Sequence, residues 1–223
     1  MFFASRIKSI KPEYRVLEIG PGSSPHSRSD EFLELSFVAE DQRLAQRGGT
    51  AGEPDFGTKP VHYYDGRAFP FKDGQFDYVI CSHVIEHVPD PEFFVNELNR
   101  VSGGRGYLEY PLVTCEYLYN FDVHLNLVKF DGDGQVLKFI RKCDTPLDVF
   151  SPVSALFHKT LEKGWDDLTS TNKEFFFEGF EFARPLSIVR AESIEDLLPS
   201  EEKIVRKSRI RWFVAGCLNW LRI

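Results

Sequence analysis

The chain has 223 residues, 42% of them hydrophobic, and a formal charge of −7 at neutral pH. That is enough apolar content for a full core in one domain, while the acidic balance excludes a general nucleic-acid binder, which needs a basic surface to neutralise phosphates. The start, Met-Phe-Phe-Ala-Ser-Arg-Ile-Lys, is charged too soon for a signal peptide, no run approaches the roughly 20 apolar residues of a membrane span, and Cys81, Cys115, Cys143 and Cys217 form no Cys-x-x-Cys pair, so a reduced cytoplasmic protein is expected.

The first element is Val16-Leu-Glu-Ile-Gly-Pro-Gly22, a short apolar run that ends in an acid and two glycines. It reads as a strand feeding a ligand-binding turn, where Gly20 and Gly22 admit backbone conformations closed to other residues and Glu18 sets a carboxylate near the strand's end. A dinucleotide fingerprint needs a third glycine three residues on, and Pro25 stands there instead. Ser23-Ser-Pro-His-Ser-Arg-Ser-Asp30 is too short and polar for a crossover helix, so Glu31-Phe-Leu-Glu-Leu35 is expected to follow directly as the second strand, with Glu34 near its end. A Gly-rich, charged loop covers Asp41 to Pro60, and Val61 to Asp65 reads as a third strand.

Asp77 to Ser82 has the continuous apolar character of a buried parallel strand. Asp90 and Pro91 are an N-cap and first-turn pair for a helix whose apolar face is Phe94, Val95, Leu98 and Val101, stopped by Gly103 and Gly104 before a strand over Gly106 to Tyr110. His124 to Phe130 and Gln135 to Lys142 flank Asp131-Gly-Asp-Gly134, a hairpin turn that lacks the further acidic ligands of a calcium loop. Ser151 to Gly164 fits a helix, and Phe175 to Phe182 with Leu186 to Arg190 read as a final antiparallel pair of the main sheet. Strands alternating with helices and long connections predict an α/β fold. Residues 1–200 are expected to form one domain, with about 112–170 as a β-rich insertion over the strand ends that caps the substrate.

The most specific stretch is Tyr64-Asp-Gly-Arg-Ala-Phe-Pro-Phe71, followed by Phe76-Asp-Tyr-Val-Ile-Cys-Ser-His-Val-Ile-Glu-His-Val88. Together with Glu-Ile-Gly-Pro-Gly it closely resembles the motifs of class I S-adenosylmethionine-dependent methyltransferases. The resemblance implies a doubly wound, mostly parallel Rossmann-like sheet with a terminal antiparallel strand pair, and S-adenosylmethionine as cofactor. It assigns Glu18, Gly20 and Gly22 to the methionine and ribose side, Glu34 to the ribose hydroxyls and Asp65 to the adenine amine, with Gly66 and Ser82 as further cofactor contacts. A carboxylate suits a vicinal diol or an exocyclic amine because it is a pure acceptor. Asp30, Glu40 and Asp41 remain rivals of Glu34, since the short first connection leaves the register open.

His83 and His87 follow the fourth strand, beside the expected methyl group, and are the candidate bases for a hydroxyl acceptor. Tyr110, Asp122 and His124 are weaker candidates by position. His83-Val-Ile-Glu-His87 also spells a His-x-x-Glu-His zinc pattern, but Val88-Pro89 closes it too soon for the helix such a site needs, and no metal site is expected. The expected acceptor is a small-molecule or glycan hydroxyl. The alternatives are an NAD-dependent nucleotide-sugar oxidoreductase, disfavoured by Pro25, and a non-catalytic binding protein of the same fold. In the tail, Lys203, Arg206, Lys207, Arg209, Arg211 and Arg222 surround Ile210, Trp212, Phe213, Val214, Leu218, Trp220 and Leu221. This basic amphipathic segment over 201–223 suits peripheral contact with an anionic membrane, or docking on the protein's own sheet or a second subunit.

Overall fold

The computed structural model describes residues 1–36, 55–132, 134–148, 152–163 and 167–199. Its main sheet has six strands in the order β3-β2-β1-β4-β5-β8. They are β1 (Val16–Ile19), β2 (Glu31–Leu35), β3 (Val61–Tyr64), β4 (Tyr78–Ser82), β5 (Gly106–Pro111) and β8 (Phe177–Phe182). The first five are parallel, and β8 closes the edge antiparallel to β5. The continuous apolar runs predicted to be central are so: β1 is buried throughout, and β4 is buried from Tyr78 to Cys81. Both faces of such strands must be covered, which is why they do not alternate.

Helix α1 (Pro91–Ser102) joins β4 to β5. Its start is set by Asp90, whose side chain accepts from the Phe93 amide, and its end by Gly103 in the left-handed conformation. Phe94, Val95, Leu98 and Val101 are buried in the core with Leu17, Val79, Cys81 and Leu108, as the helical spacing predicts. The link before β4 is fastened to this helix. Glu97 accepts from the Phe69 amide, and the Arg100 guanidinium donates to Glu97, to the carbonyls of Phe69 and Phe71, and to Asp73. The β1–β2 connection is a string of turns with no helix, as its length and polarity imply.

A second sheet of three strands holds β6 (Asn126–Asp131), β7 (Val136–Arg141) and β9 (Ser187–Arg190). The β6–β7 pair is the expected hairpin, although Asp133 of its turn lies outside the described residues. The second strand of the final pair departs from expectation: β9 leaves the main sheet and runs parallel to β7. The cause is Asn99 on α1, whose side-chain amide donates to the Leu186 carbonyl and whose oxygen accepts the Leu186 amide. This clamp, one residue after Pro185, takes up the backbone groups that a tight return along β8 would need and turns the chain onto the free edge of the hairpin.

Helix α2 (Val113–Tyr119) follows β5, and α3 (Pro152–Glu162), α4 (Asp167–Thr171) and α5 (Lys173–Phe176) lead into β8. Phe3, Cys115, Tyr119, Phe176 and Phe177 form a separate apolar cluster that draws the first residues of the chain onto the β4–β5 end of the sheet. Cys81 and Cys115 are buried thiols and Cys143 is an exposed one. Among the described residues no helix is long and apolar enough to cross a membrane. Cys217, Glu40, Asp41 and the tail segment over 201–223 lie outside the described residues.

Candidate active site

Strand order reverses between β1 and β4, and in open α/β sheets a ligand binds in the crevice beyond the carboxyl ends of the strands at that point. Glu18 is buried there, and one of its oxygens accepts from the His26 amide at 2.8 Å and the Ser29 hydroxyl at 2.7 Å. Burial pushes its pKa up in spite of those two bonds. Glu18 therefore shapes the loop over 20–30 from beneath. Gly20 donates its amide to the Leu33 carbonyl with φ +58°, and a Cβ on it would stand 2.7 Å from a methyl of Val84. Only glycine lets β1 turn so close to the segment after β4. A Cβ on Gly22, also left-handed, would meet nothing within 4 Å, so the turn opens onto free space.

Glu34 is buried near the carboxyl end of β2, and Asp65 follows directly on β3. Glu18, Glu34 and Asp65 thus run outward in a row along one edge of β1, β2 and β3. Asp65 accepts from the Arg67 amide at 3.1 Å, and its side chain is 69% exposed. A Cβ on Gly66 would touch Leu35, so the turn after β3 leans on the end of β2. Of the rivals for the ribose acid, Asp30 is removed: it precedes β2 at the opposite end of the sheet and accepts from the Val16 amide.

Beyond β4 the structure corrects one assignment and refines another. His83 has φ +57° and a ring held edge-on between Phe2 and Phe177, with Nε2 donating to Glu109 at 3.1 Å and Nδ1 3.3 Å from Glu86. Burial opposes the charged ring, but the Glu109 hydrogen bond and Glu86 overcome it and raise its pKa to about 9. His83 is therefore an imidazolium at neutral pH and not a general base. Ser82 spends its hydroxyl on Glu109, at 3.0 Å. Glu109, which pattern reading passed over, also accepts from the Phe2 and Phe3 amides and the Tyr107 hydroxyl. Against its complete burial, these donors and His83 hold its pKa down at about 2.

His87 is the neutral imidazole of the pair. Its burial, reinforced by nearby His124, lowers its pKa even though Glu86 acts the other way. The Val123 carbonyl, which can only accept, lies 3.0 Å from Nδ1, so the proton sits on Nδ1 and Nε2 keeps its lone pair. Tyr110 is buried with its hydroxyl donated to Glu178 at 2.9 Å, and burial raises its pKa far beyond use as an acid or base. Asp122 and His124 line a cavity of about 140 Å³ with Asn120 and Lys142 beside the β6–β7 hairpin.

The row of buried and exposed carboxylates, ending at an open glycine turn, fits a ligand with a vicinal diol and an exocyclic amine. The family model of the methyltransferase domain matches residues 17–109, which hold all of these groups. Two proteins named "uncharacterized methyltransferase", from Mycobacterium sp. strains KMS and MCS, are each 35% identical over 99 residues. The match covers 43% of this chain and 38% of each relative, so the chain spans about two fifths of their length. A solved S-adenosylmethionine-dependent methyltransferase from Mesorhizobium loti aligns with 68% of this chain and 65% of its own, at 17% identity and a TM-score of 0.34. One from Aquifex aeolicus aligns with 76% and 81%, at 15% identity and a TM-score of 0.33. Residues 17–109 of the chain are thus similar to the methyltransferase domain family and to proteins named as methyltransferases.

Proposed function

We propose that the chain as a whole transfers the methyl group of S-adenosylmethionine to a hydroxyl of a small molecule or glycan. The observation that carries this reading is the row Glu18, Glu34 and Asp65 beside the Gly20–Gly22 turn; the hairpin and α2, which follow β5 in the chain, are the proposed cover for an acceptor. Bound there, the cofactor supplies an activated methyl on a sulfonium. Glu34 accepts from the ribose hydroxyls and Asp65 from the adenine amine, while Glu18 keeps the turn in shape. Displacement at the methyl carbon needs the acceptor in line, and a hydroxyl must also lose its proton. In this reading the His87 Nε2 lone pair takes that proton, and His83, whose two nitrogens face Glu109 and Glu86, does not.

Calorimetry with S-adenosylmethionine and with NAD tests the cofactor half of the proposal, and a screen of hydroxyl acceptors by methyl incorporation tests the other. Binding of NAD in place of S-adenosylmethionine would return the oxidoreductase reading. Cofactor binding without transfer to any hydroxyl would leave a binding protein. The tail over 203–223, on its sequence, is proposed to contact anionic membrane, which would bring lipid-linked acceptors within reach. Co-sedimentation with anionic liposomes, with and without those residues, checks this: equal pelleting of both proteins would dismiss it.

A further inference from the structure

We propose that Glu86, His87 and His124 form a binding site for one divalent transition-metal ion of the zinc type. The three side chains each present a ligand atom within 4.8 Å of the others, with Glu86 buried and the two histidine side chains 14% and 11% exposed. Donors about 2.1 Å from a tetrahedral ion stand roughly 3.4 Å apart, so ligation draws them inward by about an ångström.

The surroundings are those of a ligand set. Both imidazoles have Nδ1 engaged by an acceptor, His87 by the Val123 carbonyl at 3.0 Å and His124 by the buried Glu116 carboxylate at 2.5 Å. Each is thereby fixed in the tautomer that leaves Nε2 to coordinate, the arrangement by which outer partners orient metal-bound histidines. Glu86 supplies the second, independent observation: neither oxygen of this fully enclosed carboxylate makes a hydrogen bond. A buried carboxylate left so is costly unless a cation faces it. The charged His83 ring faces Oε1 at 3.3 Å and His87 Nε2 stands 3.9 Å from the same oxygen, while Oε2 makes no hydrogen bond and is open to an ion shared with His87 and His124.

The backbone holds the two halves of the site in register across 38 positions of sequence. The Glu86 carbonyl accepts from the amides of Leu125 and Asn126, and the Asn126 side chain donates to the carbonyls of Ile85 and Val88. Two imidazoles with one carboxylate favour zinc and its neighbours over magnesium or calcium, which take oxygen ligands. Three protein ligands leave a fourth position, as in sites that bind a water or substrate oxygen. With an ion bound, His87 would be a ligand and the proton of a hydroxyl in the fourth position would pass to solvent; the metal-free chain keeps Nε2 for the base role proposed above. This site does not depend on the methyl-transfer reading, since it is tested by metal binding.

The test is titration of the chelator-treated full chain with zinc by calorimetry, and with cobalt by visible absorption. One ion per chain is expected, with a ligand-field spectrum free of thiolate charge transfer. E86Q, H87A and H124A should each weaken zinc binding by more than about 100-fold, and E116Q by about 10–100-fold through weakening of the hydrogen bond that orients His124. H62A should change nothing, since His62 pairs with Glu31 elsewhere. Binding well below one ion per chain, undiminished affinity in H87A and H124A, or displacement by equimolar magnesium would overturn the proposal. If a variant does not fold, the cobalt spectrum of the unaltered chain decides: a thiolate band, which would implicate the exposed Cys143, refutes it.

Discussion

Replacing Glu109 by glutamine keeps shape and volume and removes the charge on which five donors converge. One oxygen accepts from the Phe2 amide at 2.7 Å, the Ser82 hydroxyl at 3.0 Å and His83 at 3.1 Å; the other accepts from the Phe3 amide at 2.9 Å and the Tyr107 hydroxyl at 2.5 Å. A fall in pKa from 4.5 to about 2 is worth about 3 kcal/mol in favour of the folded carboxylate, at about 1.4 kcal/mol per tenfold. The amide also points an N–H₂ at one set of donors, and while the two hydroxyls can rotate to accept, the Phe3 or Phe2 amide and the His83 ring cannot. Glu109→Gln should therefore lose about 3–5 kcal/mol at pH 7, measured by urea unfolding. Because the folded pKa is depressed, this stability is complete above about pH 4.5 and is lost as pH falls through about 2, so wild type and variant should converge on acidification. A difference under about 1 kcal/mol at pH 7, or one that stays constant to pH 2.5, would refute the reasoning.

Gly20→Ala should lower the melting temperature and weaken S-adenosylmethionine binding by more than about tenfold, because the left-handed backbone costs about 1–2 kcal/mol and the methyl meets Val84; normal values of both would mean the turn is less constrained than its geometry states. Asp65→Ala should weaken cofactor binding by only about two- to tenfold, the smaller end of a hydrogen bond's worth, since the side chain is 69% exposed. Unchanged affinity in calorimetry would remove Asp65 from the site. His87→Ala should reduce turnover on a hydroxyl acceptor by about 10²–10⁴-fold with cofactor affinity preserved, while His83→Ala should chiefly reduce stability by stranding Glu109. Equal losses of turnover at equal stability in the two variants would restore His83 as a base.

Helix α1 was legible to the residue because its determinants are local: Asp90 caps the helix that Pro91 begins, Gly103 ends it, and the apolar spacing picks the buried face. The burial of β1 and β4 follows in the same way from their unbroken apolar runs. Strand partnership is different in kind. The placement of β9 depends on Asn99 meeting Leu186, 87 positions away, and no pattern within either segment signals that encounter. The charge on His83 was hidden for the same reason, since it rests on Glu109, a residue of another strand.

Buried acids in strands show where local reading stops. Glu18, Glu34 and Glu109 each interrupt an apolar run, and none can be enclosed cheaply without donors or a cation. Glu18 finds donors at His26 and Ser29, in the loop its own strand feeds, so the glycine turn and the acid could be read as one unit. Glu109 finds them at Phe2, Phe3 and His83, and its isolation in Gly-Tyr-Leu-Glu-Tyr-Pro is the only mark the sequence bears. Glu86 goes one step further, because its enclosure is complete and its oxygens still lack hydrogen bonds. The demand that Glu18 satisfies with its loop and Glu109 with the first residues of the chain is met at Glu86 in part by the charged His83 ring, and the ion proposed beside His87 and His124 would meet the remainder.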